Sequence, residues 1–424
     1  MISKPQPHEA YVYITLTDHL EPVTAGRFAM TEDRHGIVLG RFVYGRNYLE
    51  RRDAVALDPV ELKLATGTFE TTALGGVFGA LRDSSPDYWG RRVIERHAGK
   101  PKLSELDYLL YAPDDRAGAL GFGLHQTPPA PKRDFNRTLD LAKLQQVAEA
   151  MMREEDLPAT ASHRQIKDLL LIGTSMGGAR PKAVVEDEGG LWIAKFNRAD
   201  DPWNNARIEH AMLVLARACG LVAAESKVVD VGGKDVLLVK RFDREKVEGG
   251  YRRARMVSAL TLLRAEDTHR SREKWSYVAL AEDLRRVSAD PERDAAELFQ
   301  RMVFNALISN TDDHPRNHAI IARAKDWQLS PAYDLTPSVP ISLERRDLAM
   351  SCGDEGRFAN AHNLLSQSAR FLLNQDEATA IIDTMENMIK TAWYKTARAE
   401  GVSERDCAAI AGAFVYEGFR IEDR

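Results

Sequence analysis

The densest run of side chains able to do chemistry is Asn310-Thr-Asp-Asp-His-Pro-Arg-Asn-His318, a polar loop between an apolar helical pattern and the apolar run Ala319-Ile-Ile321. Four residues separate Asp312 from Asn317. With that spacing a short loop can aim a carboxylate at a substrate hydroxyl and an amide oxygen at a magnesium ion beside phosphates, the two tasks it serves in protein kinases. Further on, Leu329-Ser-Pro-Ala-Tyr-Asp-Leu-Thr-Pro337 supplies Asp334. That carboxylate suits a second magnesium ligand, because Mg²⁺ takes few protein oxygens and fills its shell with phosphate and water. Read alone, the first loop is a type I turn with Asx caps and Asp334 a turn residue. Their order along the chain favours phosphoryl transfer.

Partners for such a site should lie upstream. In Ser175-Met-Gly-Gly-Ala-Arg-Pro-Lys182 the small residues Gly177, Gly178 and Ala179 would let backbone N–H groups approach phosphate oxygens, with Arg180 and Lys182 adding charge. The loop lacks the G-x-x-x-x-G-K-[ST] pattern, and an ordinary turn explains it equally well. Lys195 alternates with apolar neighbours in Trp192-Ile-Ala-Lys-Phe196. A lysine within an apolar strand is either paired, since an unpaired buried ammonium is costly, or on the solvated face of an edge strand. Paired, it would hold phosphates and Glu209 on the next helix. His314 and His318 have the four-residue spacing of a zinc pair, but Pro315 lies between them and no cysteine or third histidine is near. His314 is better suited to bracing the loop by hydrogen bonds.

These residues must be positioned by two kinds of element. Tyr11–Leu16, Gly26–Met30 and Ile37–Tyr44 read as strands, and Arg91–His97 and Ser104–Tyr111 as helices. The proline-rich Thr127–Arg133 reads as a linker. Hairpins are expected at 183–196 and 227–242, with a helix over 204–219 between them, and Asp290-Pro291 should cap and open another. Beyond 255 nearly everything except 309–340 is expected to be helical. The organisation expected is 1–135 as an N-terminal subdomain, 136–243 as a sheet-rich lobe and 244–424 as a helical lobe.

Composition narrows the function classes. Of 424 residues, 58 are Lys or Arg and 63 Asp or Glu, a net charge of −5, so there is no global electrostatic footprint for nucleic acid. The segment 240–274 has a local net charge of +5, which suits acidic substrate, RNA backbone or DNA if it is not simply a solvated face. With 44% hydrophobic and 29% charged residues, wholesale disorder is excluded. No apolar run is long enough to span a membrane, and the first residues lack a secretory signal, so a cytoplasmic location is expected. The three scattered cysteines make no disulfide framework and look structural.

Taken together, G-x-R-P-K, the Lys195 strand, V-K-R-F-D-R at 239–244, N-T-D-D-H-x-x-N-H and S-P-A-Y-D-L-T-P-S resemble the HipA family of bacterial serine/threonine kinase toxins. Pro86-Asp-Tyr-Trp-Gly-Arg91 and Asp114-Asp-Arg-Ala-Gly-Ala-Leu120 resemble its N-terminal subdomain. The resemblance spans roughly residues 10–400. It implies an α+β, bilobal protein-kinase-like fold behind a strand-rich N-terminal subdomain, and an ATP- and Mg²⁺-dependent protein kinase that halts growth by phosphorylating a translation component, typically an aminoacyl-tRNA synthetase. It also implies a HipB-like helix-turn-helix antitoxin, with operator DNA reached through that partner. Carried over, Asp312 is the base, Asn317 and Asp334 hold Mg²⁺, Lys195 holds phosphates, and Lys240, Arg241 and Phe242 edge the adenine. Ser175 corresponds to the autophosphorylated serine. Lys240 departs from the family pattern, where that place can be acidic. A catalytically silent scaffold bridging antitoxin and DNA, or a small-molecule kinase, remain the alternatives.

Overall fold

The structure, a computed structural model, describes residues 8–98, 103–131, 135–152, 180–339, 342 and 344–420. Ser175, Gly177, Gly178 and Ala179 lie outside the described residues. The chain forms two compact units. Met1–Ala194, Asp243–Val257 and Ile321–Lys325 make the first, and Lys195–Phe242, Ser258–Ile320 and Asp326–Arg424 the second.

The first unit is built on an antiparallel sheet of β1 (Glu9–Thr15), β2 (Pro22–Glu32), β3 (Val38–Tyr44), β4 (Thr68–Thr71) and β5 (Leu120–Gly123), in the order β4-β3-β2-β1-β5. Alternation brings Val12 and Ile14 of β1 to full burial beside Phe28 and Phe42, whose neighbours across the pleat face outward. Gly40 in β3 has to be glycine, because a Cβ there would stand 1.8 Å from the Gly76 carbonyl oxygen. Two helices follow, Tyr88–Ala98 and Glu105–Tyr111, the second started by a Ser104/Asp107 capping box. The two-residue β6 (Asn136–Arg137) pairs in parallel with β7 (Lys182–Asp187). Between β7 and β8 (Gly190–Phe196), Asp187 Oδ1 accepts from the Gly189 N–H at 2.8 Å and from Trp192 Nε1 at 2.6 Å, which closes the expected turn. The last two residues of β8, Lys195 and Phe196, belong to the second unit.

In the second unit, β9 (Ser226–Val231) and β10 (Lys234–Lys240) pair antiparallel in the hairpin the sequence predicts, although the strand stops at Lys240, before Arg241 and Phe242. The Asn205–Ala218 helix buries Ile208, Met212 and Leu215, and its Arg207 clamps Asp235 of β10 with bonds of 2.5 and 2.7 Å. The Pro291–Leu307 helix is the core of the unit. Leu298, Phe299, Met302, Val303 and Phe304 have no exposed surface, and each such side chain is worth about 1.5–3 kcal/mol on burial. Asp290 caps it by accepting from the Arg293 N–H at 3.2 Å, with Pro291 in the first turn as expected.

One expectation needs correcting. Neither the helical lobe expected over 244–424 nor the near-complete helix expected beyond 255 outside 309–340 describes the chain. In the first unit Arg244–Val247 and Gly250–Arg253 form an antiparallel hairpin, turned at Gly249 and Gly250 with φ of +84° and +154°. In the second unit the described chain from Ser330 to Asn360 is largely irregular, pinned by bridges such as Asp347 with Phe358. The hairpin was masked in the sequence because lysines and arginines hide its period-two pattern. Several of them are paired: Arg244 with Asp243 and Arg253 with Asp114, both in the first unit.

Candidate active site

Three sequence-selected side chains converge in the second unit. Lys195 Nζ donates to Glu209 Oε1 at 2.6 Å and to Asp334 Oδ1 at 2.8 Å. The ammonium is 17% exposed, Glu209 7% and Asp334 30%, so this is a paired lysine and not a solvated edge-strand one. Burial alone would push the ammonium down. Asp334 and Glu209 outweigh that and raise its pKa well above the ordinary lysine value.

Each member is held by its own element. Glu209 rides on the Asn205–Ala218 helix, which Asn204 caps by accepting from the Arg207 N–H at 3.2 Å. Asp334 sits in irregular chain secured at several points. Arg301 Nη2 donates to the Ser330 carbonyl at 2.6 Å, the Ala332 N–H to Val222 O at 2.7 Å, and the Ala224 N–H to Ala332 O at 2.8 Å. Asp334 itself has φ of +61°, the left-handed region that aspartate tolerates better than most residues.

The catalytic-loop candidates follow from how the Pro291–Leu307 helix ends. The Asn310 N–H bonds to Asn305 O at 2.8 Å and the Ser309 N–H to Ala306 O at 3.2 Å, while Ser309 has φ of +52°. This is a Schellman termination, with serine where glycine is usual. It turns the chain directly into the loop. The His314 N–H then donates to Asp312 O at 2.8 Å and the Asn317 N–H to His314 O at 2.8 Å. Asn317 Nδ2 donates to Asp312 O at 3.3 Å, which directs its Oδ1 away from the loop backbone. Asn310 Nδ2 reaches both Asn305 Oδ1 at 3.0 Å and the Asp334 carbonyl at 3.4 Å, so the loop and the Asp334 segment are linked.

Asp312 is exposed as a residue, yet its carboxyl is crowded. Burial pushes its pKa above the ordinary aspartate value, His314 pulls it down, and Asp334 and Asp313 push it up again. The surplus of negative charge around it is one that a bound cation would relieve. Among the described residues no three His, Cys, Asp or Glu side chains gather as a metal-binding group. A cation here would therefore draw on few protein oxygens, Asp334 and Asn317 among them, as hard Mg²⁺ does when phosphates complete its shell.

The remaining candidates are placed as follows. Lys240 Nζ pairs with Glu225 Oε2 at 2.8 Å, and Arg241 is buried. The Phe242 ring lies 5.6 Å from that of Tyr333, whose hydroxyl donates to the Arg316 carbonyl in the loop. Arg180 and Lys182 lie in the first unit, where the Lys182 ammonium pairs with Asp87 at 2.7 Å and the two side chains are 3% and 5% exposed. His314 braces the loop through its backbone N–H and carbonyl. Its Nδ1 is buried without a hydrogen-bond partner among the described residues, and its ring lies edge-on to Trp275. His318 adds side-chain bracing, through Asp313 at 2.7 Å. Asp313, Asn305 and Tyr277 were not singled out in the sequence, although an asparagine inside Val303-Phe-Asn-Ala-Leu307 and a doubled aspartate were there to be read.

The family profile of the HipA-like C-terminal domain matches residues 174–393, more than half of the chain, and that of the HipA N-terminal domain matches 19–123. The chain belongs to the HipA family. A Sinorhizobium fredii relative named as a candidate kinase, Y4mE, is 26% identical over 76% of this chain and 77% of its own length. A second protein of that organism, Y4dM, also named as a candidate kinase, is 28% identical over 39% of this chain and 41% of its own. The solved complex of Shewanella oneidensis MR-1 HipA, HipB and operator DNA matches 96% of this chain and all of the other, with a TM-score of 0.66 and 17% identity. The likeness establishes a shared fold, and with it the kinase-like α+β class expected from the sequence. Among the described residues no helix is long and apolar enough to cross a membrane.

Proposed function

We propose that this HipA-family, kinase-like protein is an ATP- and Mg²⁺-dependent serine/threonine protein kinase acting as the toxin of a toxin–antitoxin module. The observation that carries the reading is the Lys195 ammonium shared by Glu209 and Asp334, in the unit that also holds the Asp312–Asn317 loop. Bound MgATP would supply the transferable phosphoryl group and screen its charge. Lys195, Asp334 and Asn317 would hold it, with Lys240, Arg241 and Phe242 beside the adenine. Asp312 orients the acceptor hydroxyl and takes its proton. Lys195, fixed by two carboxylates, presents its charge to phosphate oxygens with little reorganisation, and such positioning and electrostatics supply most of the catalysis in phosphoryl transfer.

Ser175 is the proposed autophosphorylation site. A phosphate there adds about −1.5 to −2 charge, which would repel nucleotide phosphates and switch the enzyme off. The Shewanella complex supports a HipB-like helix-turn-helix antitoxin as partner, with operator DNA reached through it. An aminoacyl-tRNA synthetase is the proposed protein substrate.

A non-hydrolysable ATP analogue should raise the melting temperature only when Mg²⁺ is present, since ligand at a hundred times its Kd stabilises by about 2.7 kcal/mol. Labelled ATP should in turn mark the 174–182 peptide at Ser175. No Mg²⁺-dependent shift and no transfer would leave a silent scaffold, and label confined to Thr174 would move the modified site.

The raised Asp312 carboxyl adds a second test. The ionised form accepts the proton, so kcat/KM should rise with pH along an acid limb centred above the reference value of 3.8. A limb at or below that value would exclude Asp312 as the base. The sign for stability is opposite. The folded chain binds this proton more tightly than the unfolded one, so Asp312 contributes against stability as pH climbs from 3.8 through the raised value.

A further inference from the structure

Asp313, immediately after the proposed base, has one oxygen on which three donors from three separate elements converge. The Tyr277 hydroxyl donates to Asp313 Oδ2, Asn305 Nδ2 reaches the same oxygen at 2.8 Å, and His318 Nε2 at 2.7 Å. Tyr277 opens the Tyr277–Val287 helix, Asn305 lies in the last turn of the Pro291–Leu307 helix, and His318 follows the loop. All four residues are 2% exposed or less. The Tyr277 and His318 rings also meet edge-on at 5.4 Å. A buried carboxylate is costly unless hydrogen-bonded, and here the bonds come from both sides of the loop it belongs to. Asn305 then passes the constraint on. Its Oδ1 accepts from Asn310 Nδ2, which also reaches the Asp334 carbonyl.

We propose that Asp313 is the positioning residue of the phosphoryl-transfer loop, its side chain locking the backbone from which Asp312 and Asn317 project and, through Asn305 and Asn310, the register of that loop against the Asp334 segment. Asp312 cannot serve this purpose, since no hydrogen bond to its carboxylate is made within the second unit's described residues. The doubled aspartate thus divides the labour. The first side chain faces outward to the chemistry and the second faces inward to hold the first in place. The inference deepens the kinase reading and rests on it for its kinetic consequence, but the locking is a property of the loop and can be read without turnover.

The test uses the full-length protein with Asp313→Asn, Asp313→Ala, His318→Gln and His318→Ala. Asparagine keeps the accepting oxygen without the charge, and glutamine keeps a donor in place of the imidazole. Asp313→Ala should lower kcat by about 10²-fold, the cost of an ångström-scale misplacement, while the Kd for MgATP changes little. Asp313→Asn and His318→Gln should each recover part of what the alanine variants lose. Hydrogen–deuterium exchange of the 309–319 peptide should quicken at least about tenfold in Asp313→Ala, with the Gln375–Ala399 helix unchanged. A purely structural role predicts instead a fall in melting temperature, faster exchange everywhere and kcat falling only with the folded fraction. Unchanged exchange at 309–319 in folded Asp313→Ala, or in His318→Ala if Asp313→Ala does not fold, overturns the proposal. If the wild-type chain transfers no phosphate, the kinase reading fails while the exchange result still decides whether Asp313 locks the loop.

Discussion

Asp312→Gln is expected to lower kcat for ATP-dependent phosphate transfer about a thousandfold, within the range that a positioned general base contributes. The fold should not notice. Asp312 is exposed as a residue, its interactions within the loop run through its backbone carbonyl, and its carboxyl is held above the ordinary value by burial and neighbouring aspartates. Removing that charge relieves repulsion with Asp334 and Asp313, so the melting temperature should stay level or rise slightly. The Mg²⁺-dependent thermal shift with nucleotide should survive, because Lys195, Asn317 and Asp334 are untouched. Single-turnover transfer of labelled phosphate at saturating ATP, with melting followed by circular dichroism, separates these effects. A purified variant transferring at the native rate would remove Asp312 from the role of base.

The parts of the fold that were legible in advance are those whose signals are local. Runs of β-branched and aromatic residues between turn residues gave β1, β2 and β3, Asp290-Pro291 gave the start of the central helix, and Gly189-Gly190 gave the turn before β8. Lys195 was legible because an apolar strand makes a lysine conspicuous, and Glu209 because a buried ammonium needs a carboxylate within reach. What stayed hidden depends on contacts far apart in sequence. Nothing near Asp313 announces that Tyr277, 36 residues upstream, will donate to it. The irregular chain around Asp334 carries no period at all, and it is ordered by carbonyl contacts to Arg301, Val222 and Ala224 that no pattern encodes. The 244–253 hairpin was lost for a third reason, since charges satisfied by cross-strand and cross-loop partners look like a solvated face when read along one dimension.

Lys195→Met should have the largest combined effect, because it breaks the site and the pairing at once. It leaves Glu209, 7% exposed, and Asp334, 30% exposed, facing the space where their shared cation had been. Breaking a buried pair on one side costs about 3–5 kcal/mol, and the partial exposure of Asp334 brings the expectation to about 2–4 kcal/mol. Phosphate transfer should fall at least about 10²-fold, the loss typical of one preorganised electrostatic contact. Lys195→Arg should not rescue it, since a planar fork cannot sit between two carboxylates held 2.6 and 2.8 Å from a single nitrogen. Glu209→Gln separates the two consequences. It keeps the Lys195–Asp334 bond and should cost less stability, while loosening the ammonium and lowering nucleotide affinity. The pH dependence has a defined sign. The Lys195 pKa is raised above its reference of 10.5, so its contribution is fully present below that value and lost only as pH rises through the higher one. The stability gap between wild type and Lys195→Met should therefore be flat on the alkaline side of neutrality up to pH 10.5. Denaturant melts at several pH values, with MgATP titrations on the same samples, measure both effects. Equal stability and undiminished transfer in Lys195→Met would show that the bonds to Glu209 and Asp334 serve neither fold nor chemistry.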